Sequence, residues 1–320
     1  ERQDLNTQGK LRHGPPLGVV TEDRPTGVYG RFGAGARLFP VRAAFRCRGV
    51  APREFRFEAI RHPTLTPALV SGALSALYAQ LEDPIEPKLV RLTGISLKLA
   101  GGRDVALQDQ SFSGALAMAA AAEYVSGVLE LLGNNPHQPA PLEGLELAVQ
   151  VESGNRTAAV EAAWLSRNPV VRGEPLTLSV RLQPFQGPPR ILTCSIPTSG
   201  LSPGEATIWA GGAFAVLPSL AAASGERPAD AEGYLRYLRE IPSAGRVTVA
   251  VAEQEACSVL MHRRVGSLPP SVGNLLASQP AAASAADSGK RLAWSSTLDA
   301  EGAVSGFVEI PFTVKEPSDE

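Results

Sequence analysis

From Thr157 onward the chain is punctuated at short, regular intervals, and this rhythm restricts its fold more than any other feature. Thr157 to Leu165, Leu176 to Leu182, Arg190 to Ile196 and Glu205 to Ala210 are each of strand length. Between them stand Asn168-Pro169, Arg172-Gly173-Glu174-Pro175, Gln186-Gly187-Pro188-Pro189 and Ser202-Pro203-Gly204-Glu205. Proline removes a backbone donor and glycine accepts turn geometry, so no long helix runs through this region. Short strands joined by such turns are the pattern of a β-sandwich.

Upstream the pattern is mixed. Val28 to Phe32, Arg37 to Arg46 and Glu54 to Ile60 read as strands; in the last, Phe55, Phe57 and Ala59 alternate with Glu54, Arg56 and Glu58, the period of a sheet with one wet face. Thr66 as N-cap and Pro67 at the first helical position open a helix whose Val70, Ala73, Leu74, Leu77 and Leu81 share a stripe. Asp83-Pro84 and Glu86-Pro87 end it. Lys88 to Leu99 and Asp104 to Leu107 form a hairpin about Gly101-Gly102. A second helix, Ser113 to Leu132, presents Leu116, Ala120, Tyr124, Val128 and Leu131 to a core, and Gly133-Asn134-Asn135-Pro136 stops it. With Leu145 to Val151 as a further strand, this order implies a mixed sheet covered by two helices, an α+β layer.

Downstream, Ala221 to Pro228 reads as a linker. Asp230 caps a helix through Glu240 with Tyr234, Leu238 and Ile241 on one face; Arg246 to Ala252 and Gly302 to Val314 read as strands. Pro280 to Gly289, rich in Ala and Ser, reads as a mobile low-complexity loop. The run Val171-Arg172-Gly173-Glu174-Pro175-Leu176-Thr177-Leu178 is similar to the opening of bacterial immunoglobulin-like domains. The expected architecture is α+β and all-β multidomain: an α+β domain over 1–150, an immunoglobulin-like β-sandwich over 151–222, and a small C-terminal α/β extension over 223–320 that packs back on one of them.

Charge and cysteine usage remove several functions. The formal net charge is -2, pI is near 6.2, and the signs are interspersed, so nucleic-acid binding is disfavoured. Cys47, Cys194 and Cys257 lie far apart without a CxxC pair, which excludes a fully paired disulfide framework and a zinc ribbon. They read as small buried hydrophobes, with a single disulfide left open. The alanine-rich stretch from Gly114 to Val128 contains Glu123 and few large apolar residues, so it is not a transmembrane segment. The polar opening Glu1-Arg2-Gln3-Asp4, with no apolar run behind it, reads as the start of a processed or truncated product.

Leu5-Asn6-Thr7, Lys10, Gly18 to Arg24 and Gly27-Val28-Tyr29-Gly30, followed by Arg37 to Val41, carry a family resemblance. Thr21, Asp23, Arg24, Thr26, Val28 and Gly30 fit the form T-x-D-R-x-(S/T)-x-(V/I)-x-G. The segment resembles the stretch downstream of the active centre in bacterial sporulation factor IV B (SpoIVB) type serine peptidase domain-containing proteins. Further pieces in the same order are Phe55-Arg56-Phe57-Glu58, His62-Pro63, Leu142-Glu143-Gly144, Arg181 to Pro188 and Leu268-Pro269-Pro270-Ser271-Val272. In that family the serine lies in a Gly-Met-Ser-Gly-Ser-Pro-like segment and the histidine in a Gly-His segment, both upstream of the motif. This chain has neither, and His13-Gly14 is a poor substitute because no nucleophile segment accompanies it. The resemblance therefore implies a non-catalytic, accessory portion.

No other constellation supplies chemistry. His62 and His137 sit at proline-marked loop or strand ends and read as structural. Cys257 and His262 fall on opposite faces of a strand, since an odd offset flips the side chain. Asp104 with Asp109 lacks a metal-ligand series, and Gly30, Gly33 and Gly35 form a tight hairpin rather than a phosphate loop. No catalytic, cofactor-binding or metal-binding residue is expected. Within Glu22-Asp23-Arg24, Asp23 or Arg24 either orients an active site on another segment or forms a turn cap and ion pair holding the motif against the sheet. The sequon Asn155-Arg156-Thr157 matters only in a glycosylating pathway, and Trp164 and Trp209 stand at strand positions where core packing is the default, against a carbohydrate-binding sandwich.

The expected function is a non-catalytic extracytoplasmic interaction or scaffold module, a subunit or processed part of a cell-envelope assembly in the periplasm or envelope. Its partners would be proteins, with no nucleic acid and peripheral association with a membrane protein complex. The alternative is a fragment of a serine peptidase whose catalytic Ser and His lie upstream or on another chain.

Overall fold

A computed structural model describes residues 3–5, 11–13, 17–81, 86–135, 141–224, 230–260, 263–266 and 283–317. Two ribbons come first: β1 (Gln3–Leu5) pairs with β2 (Leu11–His13), and β3 (Gly18–Arg24) with β4 (Gly27–Phe32). Each is a two-stranded sheet by itself.

The first core follows. In β5 (Leu38–Cys47), Phe39, Val41, Ala43, Phe45 and Cys47 point inward while their neighbours face solvent. β6 (Arg53–Ile60) repeats the alternation in weaker form as an edge strand. α1 (Leu65–Ala79) buries Val70, Leu74 and Tyr78. The hairpin of β7 (Lys88–Leu99) and β8 (Arg103–Ala106) turns at Gly101-Gly102, and β9 (Gln110–Gly114) pairs back on β7. α2 (Ala117–Gly133) covers the same face, and β10 (Leu142–Ser153) enters the centre, parallel to β5 and antiparallel to β7. The strand order is β6-β5-β10-β7-β8, a mixed sheet under two helices.

Two helix starts differ from the sequence expectation. The cap of α1 is Thr64, not Thr66: His62 Nδ1 accepts from the backbone N–H groups of Thr64 and Leu65 at 3.2 Å each, and the Thr66 hydroxyl donates to Ile60 O. An imidazole thus satisfies donors that the helix cannot. α2 begins at Ala117 because residues 110–114 are already paired as a strand. Its buried stripe is accordingly Ala117, Met118, Ala121, Ala122, Val125, Val128, Leu129 and Leu132, with Leu116 and Leu131 exposed.

The second core lies between two facing sheets. One has the order β14-β13-β11-β19, from β11 (Thr157–Leu165), β13 (Leu176–Pro184), β14 (Arg190–Ile196) and β19 (Ala303–Ser305). The other contains β12 (Val170–Val171), β15 (Gly204–Gly212), β16 (Arg246–Leu260), β17 (Arg263–Gly266), β18 (Ala283–Asp299) and β20 (Phe307–Lys315), in the order β12-β20-β15-β16-β17 with β18 also on β16. Leu176, Leu178, Val180 and Leu182 meet Ile208, Val247, Val249, Val251, Phe312 and Val314. At Gly306 the chain leaves one sheet for the other with φ of 83°, where any side chain would also sit 2.7 Å from Val160 O. The overall character is β-rich, with several sheets and four helices among the described residues.

The C-terminal strands therefore build half of the second core, and a boundary at 222 would cut through it. The expected linker at 221–228 begins inside α3 (Ala213–Ser224), which lies on the outer face of the second sheet with Val216 and Ala223 against Trp209, Ala250 and Ala252; 225–229 lie outside the described residues. α4 (Ala231–Arg239) is capped by Asp230, whose Oδ1 accepts from Gly233 N at 2.7 Å, and Leu235, Leu238 and Ile241 complete the first core. The Ala/Ser-rich segment is no loop from 283 onward: it is β18, paired along β16.

Candidate functional site

The segment that contains Thr21 to Gly30 forms the β3–β4 arm. Residues opposite one another in an antiparallel ladder share a face, so Val20, Val28 and Phe32 stand together, and Glu22, Tyr29 and Arg31 occupy the other side. Val20 is 66%, Val28 65% and Phe32 89% exposed. Arg24 pairs with Glu22 at 2.8 Å within the arm itself, not with a sheet of the main body; both are exposed, and such pairs contribute little. The side chain of Asp23 lies outside the described residues. Val20, Val28 and Phe32 thus expose three large apolar side chains on one face of the ribbon, the face that also carries Gly18, Asp23 and Gly30.

The two cores meet at a joint built by β9. Gln110 is fully buried there; its Oε1 accepts from Ala244 N at 2.9 Å, and its Nε2 donates to Pro242 O at 3.2 Å. Ser113 Oγ accepts from Arg156 N at 2.7 Å, and Ala303 N donates to Arg156 O at 3.0 Å. Gly302 allows this approach: a Cβ there would lie 2.0 Å from Arg156 O. Beside it, Phe112, Tyr124 and Phe214 form an aromatic trio with centroids 6.0 to 6.2 Å apart, tying α3 to the first core. Burial pushes the Tyr124 hydroxyl up to about 12, against a smaller opposing effect of the Gln110 amide.

A polar cleft of about 640 Å³ opens along this joint, with Arg91, Arg156 and Arg246 facing Asp109, Asp299 and Glu301. Its guanidinium groups have partners. Arg91 and Arg156 both pair with Glu152, and Arg246 Nη1 donates to Thr297 Oγ1 at 3.4 Å. The cleft is internally balanced in charge and is a joint more than an anion site.

Among the described residues the candidate chemical residues do not come together. His62 is occupied in capping α1. The His13 side chain, His137, His262 and the Cys257 side chain lie outside the described residues. Cys47 is buried and Cys194 half-buried, and burial pushes the Cys194 thiol up. Asp109 Oδ1 accepts from Gly94 N at 3.1 Å, a structural task. Asn155 Oδ1 accepts from Thr157 N at 3.0 Å within the joint. Trp209 is buried as expected, whereas Trp164 is 44% exposed on the outer face of β11. Among the described residues no group of three or more His, Cys, Asp or Glu is placed to hold a metal, and no helix is long and apolar enough to cross a membrane.

Compared with known proteins, the chain matches no family model, no curated protein and no solved structure. What sequence reasoning missed is the exposure of the arm. The signal was present in Val20, Val28 and Phe32, apolar residues in a segment otherwise rich in glycine and charge.

Proposed function

We propose that this chain is a non-catalytic interaction or scaffold module, a part of a cell-envelope protein assembly working outside the cytoplasm, and that its protein partner docks on the β3–β4 arm. The observation that carries the reading is the exposed face of Val20, Val28 and Phe32 on a ribbon that, among the described residues, pairs only with itself. No other strand among the described residues pairs with the ribbon's edges, and an extended partner segment can add to such an edge through main-chain hydrogen bonds. The resemblance to SpoIVB-type peptidase proteins, which rests on motifs, supports the extracytoplasmic setting. The two-sheet body is proposed to be immunoglobulin-like, on the strength of Val171 to Leu178.

The second reading, a fragment of a serine peptidase completed from elsewhere, is favoured by the same motif. A serine-reactive fluorophosphonate separates the two. The purified chain is expected to remain unlabelled. Labelling of this chain would overturn the non-catalytic reading, and labelling confined to a co-purifying chain would favour the split peptidase.

A further inference from the structure

Arg37 and Arg61 stand at two positions of the first core's sheet where the alternation calls for apolar residues. The register of β5 and β6 sets Leu38 opposite Ile60 and Phe39 opposite Ala59, and Arg61 N donates to Arg37 O at 2.7 Å, so the ladder runs one rung further. Successive side chains alternate between faces, which puts both arginines in the row of the buried Phe39 and Ala59. Like charges directly opposite in an antiparallel pair repel. Among the described residues neither guanidinium has an ion-pair partner to offset this. An anion between them removes the repulsion and takes up donors that the chain leaves unused.

The same two arginines line a cavity of about 310 Å³, at the small end of ligand sites. They are exposed, whereas Phe39, Leu129, Leu132 and Leu142, which also line it, are buried, so the charge lies at the rim and the apolar surface inside. His62 adds a third donor: its Nδ1 accepts from Thr64 N and Leu65 N, which leaves the hydrogen on Nε2. No Asp or Glu among the described residues lines the cavity. We infer that this pocket binds a small monocarboxylate with a short apolar body, the carboxylate bridging Arg37 and Arg61 and the body resting on Leu129, Leu132 and Leu142. Guanidinium groups suit a carboxylate because their forked donors match its two oxygens. This site is independent of the arm.

Octanoate titrated calorimetrically into the full chain tests the assignment. The expected result is one saturable site per chain, with acetate, which lacks the apolar body, and octanamide, which lacks the charge, each binding at least about tenfold more weakly. Arg37→Gln and Arg61→Gln each weaken octanoate binding about tenfold, the scale of one charge-assisted hydrogen bond. Neither lowers the melting temperature of the ligand-free chain, because removing one of two opposed like charges relieves repulsion. Arg103→Gln, an exposed change on β8 at the opposite edge of the sheet, binds octanoate as the parent does. Absence of saturable octanoate binding, equal affinity for octanamide, unchanged affinity in both glutamine variants at the pocket, or a melting temperature that falls in both overturns the inference. Binding of an acetylated peptide ending in leucine, without binding of octanoate, overturns it in favour of a protein C-terminus.

Discussion

The Gln110 joint makes the most exposed commitment of this structure. Replacing Gln110 by Leu keeps the volume but leaves Ala244 N–H and Pro242 C=O without their side-chain partner at a fully buried position. Each orphaned group costs about 1–3 kcal/mol, with the lower end applying where water can follow. The neighbouring polar cleft gives water some access, so about 3 kcal/mol is expected in total. Gln110→Ala, which admits water, should cost less, about 2 kcal/mol. Gln108→Ala, which loses only a 3.4 Å contact of an exposed side chain to Arg239 O, should cost at most about 0.5 kcal/mol.

Urea unfolding with two probes reads this directly. Trp164, Trp209 and Trp294 all belong to the two-sheet body, so their fluorescence follows that core, while far-UV circular dichroism weighs α1, α2 and α4 of the first core. In Gln110→Leu the dichroism midpoint should fall by roughly 1 M relative to the fluorescence midpoint, because a few kcal/mol divided by a typical urea slope gives that value. If Leu is tolerated better than Ala, or the two midpoints move together by less than about 0.2 M, the joint is held by packing rather than by the amide.

Three further outcomes follow from single residues. Tyr124 ionises higher in the folded chain than its ordinary 10.0 because burial opposes the charge. The unfolded chain therefore loses this proton first, and stability is full below pH 10 and lost by about 2–3 kcal/mol toward pH 12; Tyr124→Phe should lack that alkaline loss in pH-dependent melts. The Glu253 carboxylate, 4% exposed, accepts from Ser202 N, from Ser202 Oγ at 3.3 Å and from Arg291 Nη2 at 2.6 Å. Glu253→Ala should cost about 2–4 kcal/mol in denaturant titrations and Glu253→Gln about half as much. Gly302→Ala should cost about 3 kcal/mol by forcing the backbone at Arg156 apart; Gly200→Ala, with open space around it, should be nearly neutral in the same thermal melts.

Elements whose pattern was local were legible in the sequence. β5, β6 and β13 announce themselves by alternation, and Asp230 opens α4 by capping chemistry that needs nothing beyond four residues. α3 was hidden because Gly211, Gly212 and Pro218 look like breakers, yet its Val216 and Ala223 are buried against a sheet that sequence alone does not place there. β18 was hidden for the opposite reason: Ala and Ser have little strand preference, and its pairing with β16 is a tertiary decision. The start of α1 differs because the Thr66 hydroxyl is engaged with His62 N and Ile60 O, while His62 Nδ1 takes the N–H groups of Thr64 and Leu65, an arrangement that spacing alone does not show. Of the candidate sites, the arm carried a motif from the outset, but its exposed face emerged only with the β3–β4 register.

The central claim, that the arm is where a protein partner docks, is tested most directly by placing benzoylphenylalanine at position 32 and, as a control, at Glu58 on β6, in the chain expressed in its native cells. Irradiation should give a discrete protein adduct from position 32 that is lost when Val20→Ser and Val28→Ser are added, and none from position 58. Adducts from both positions alike, or from position 58 alone, would contradict it, as would irradiation that leaves position 32 without any protein adduct.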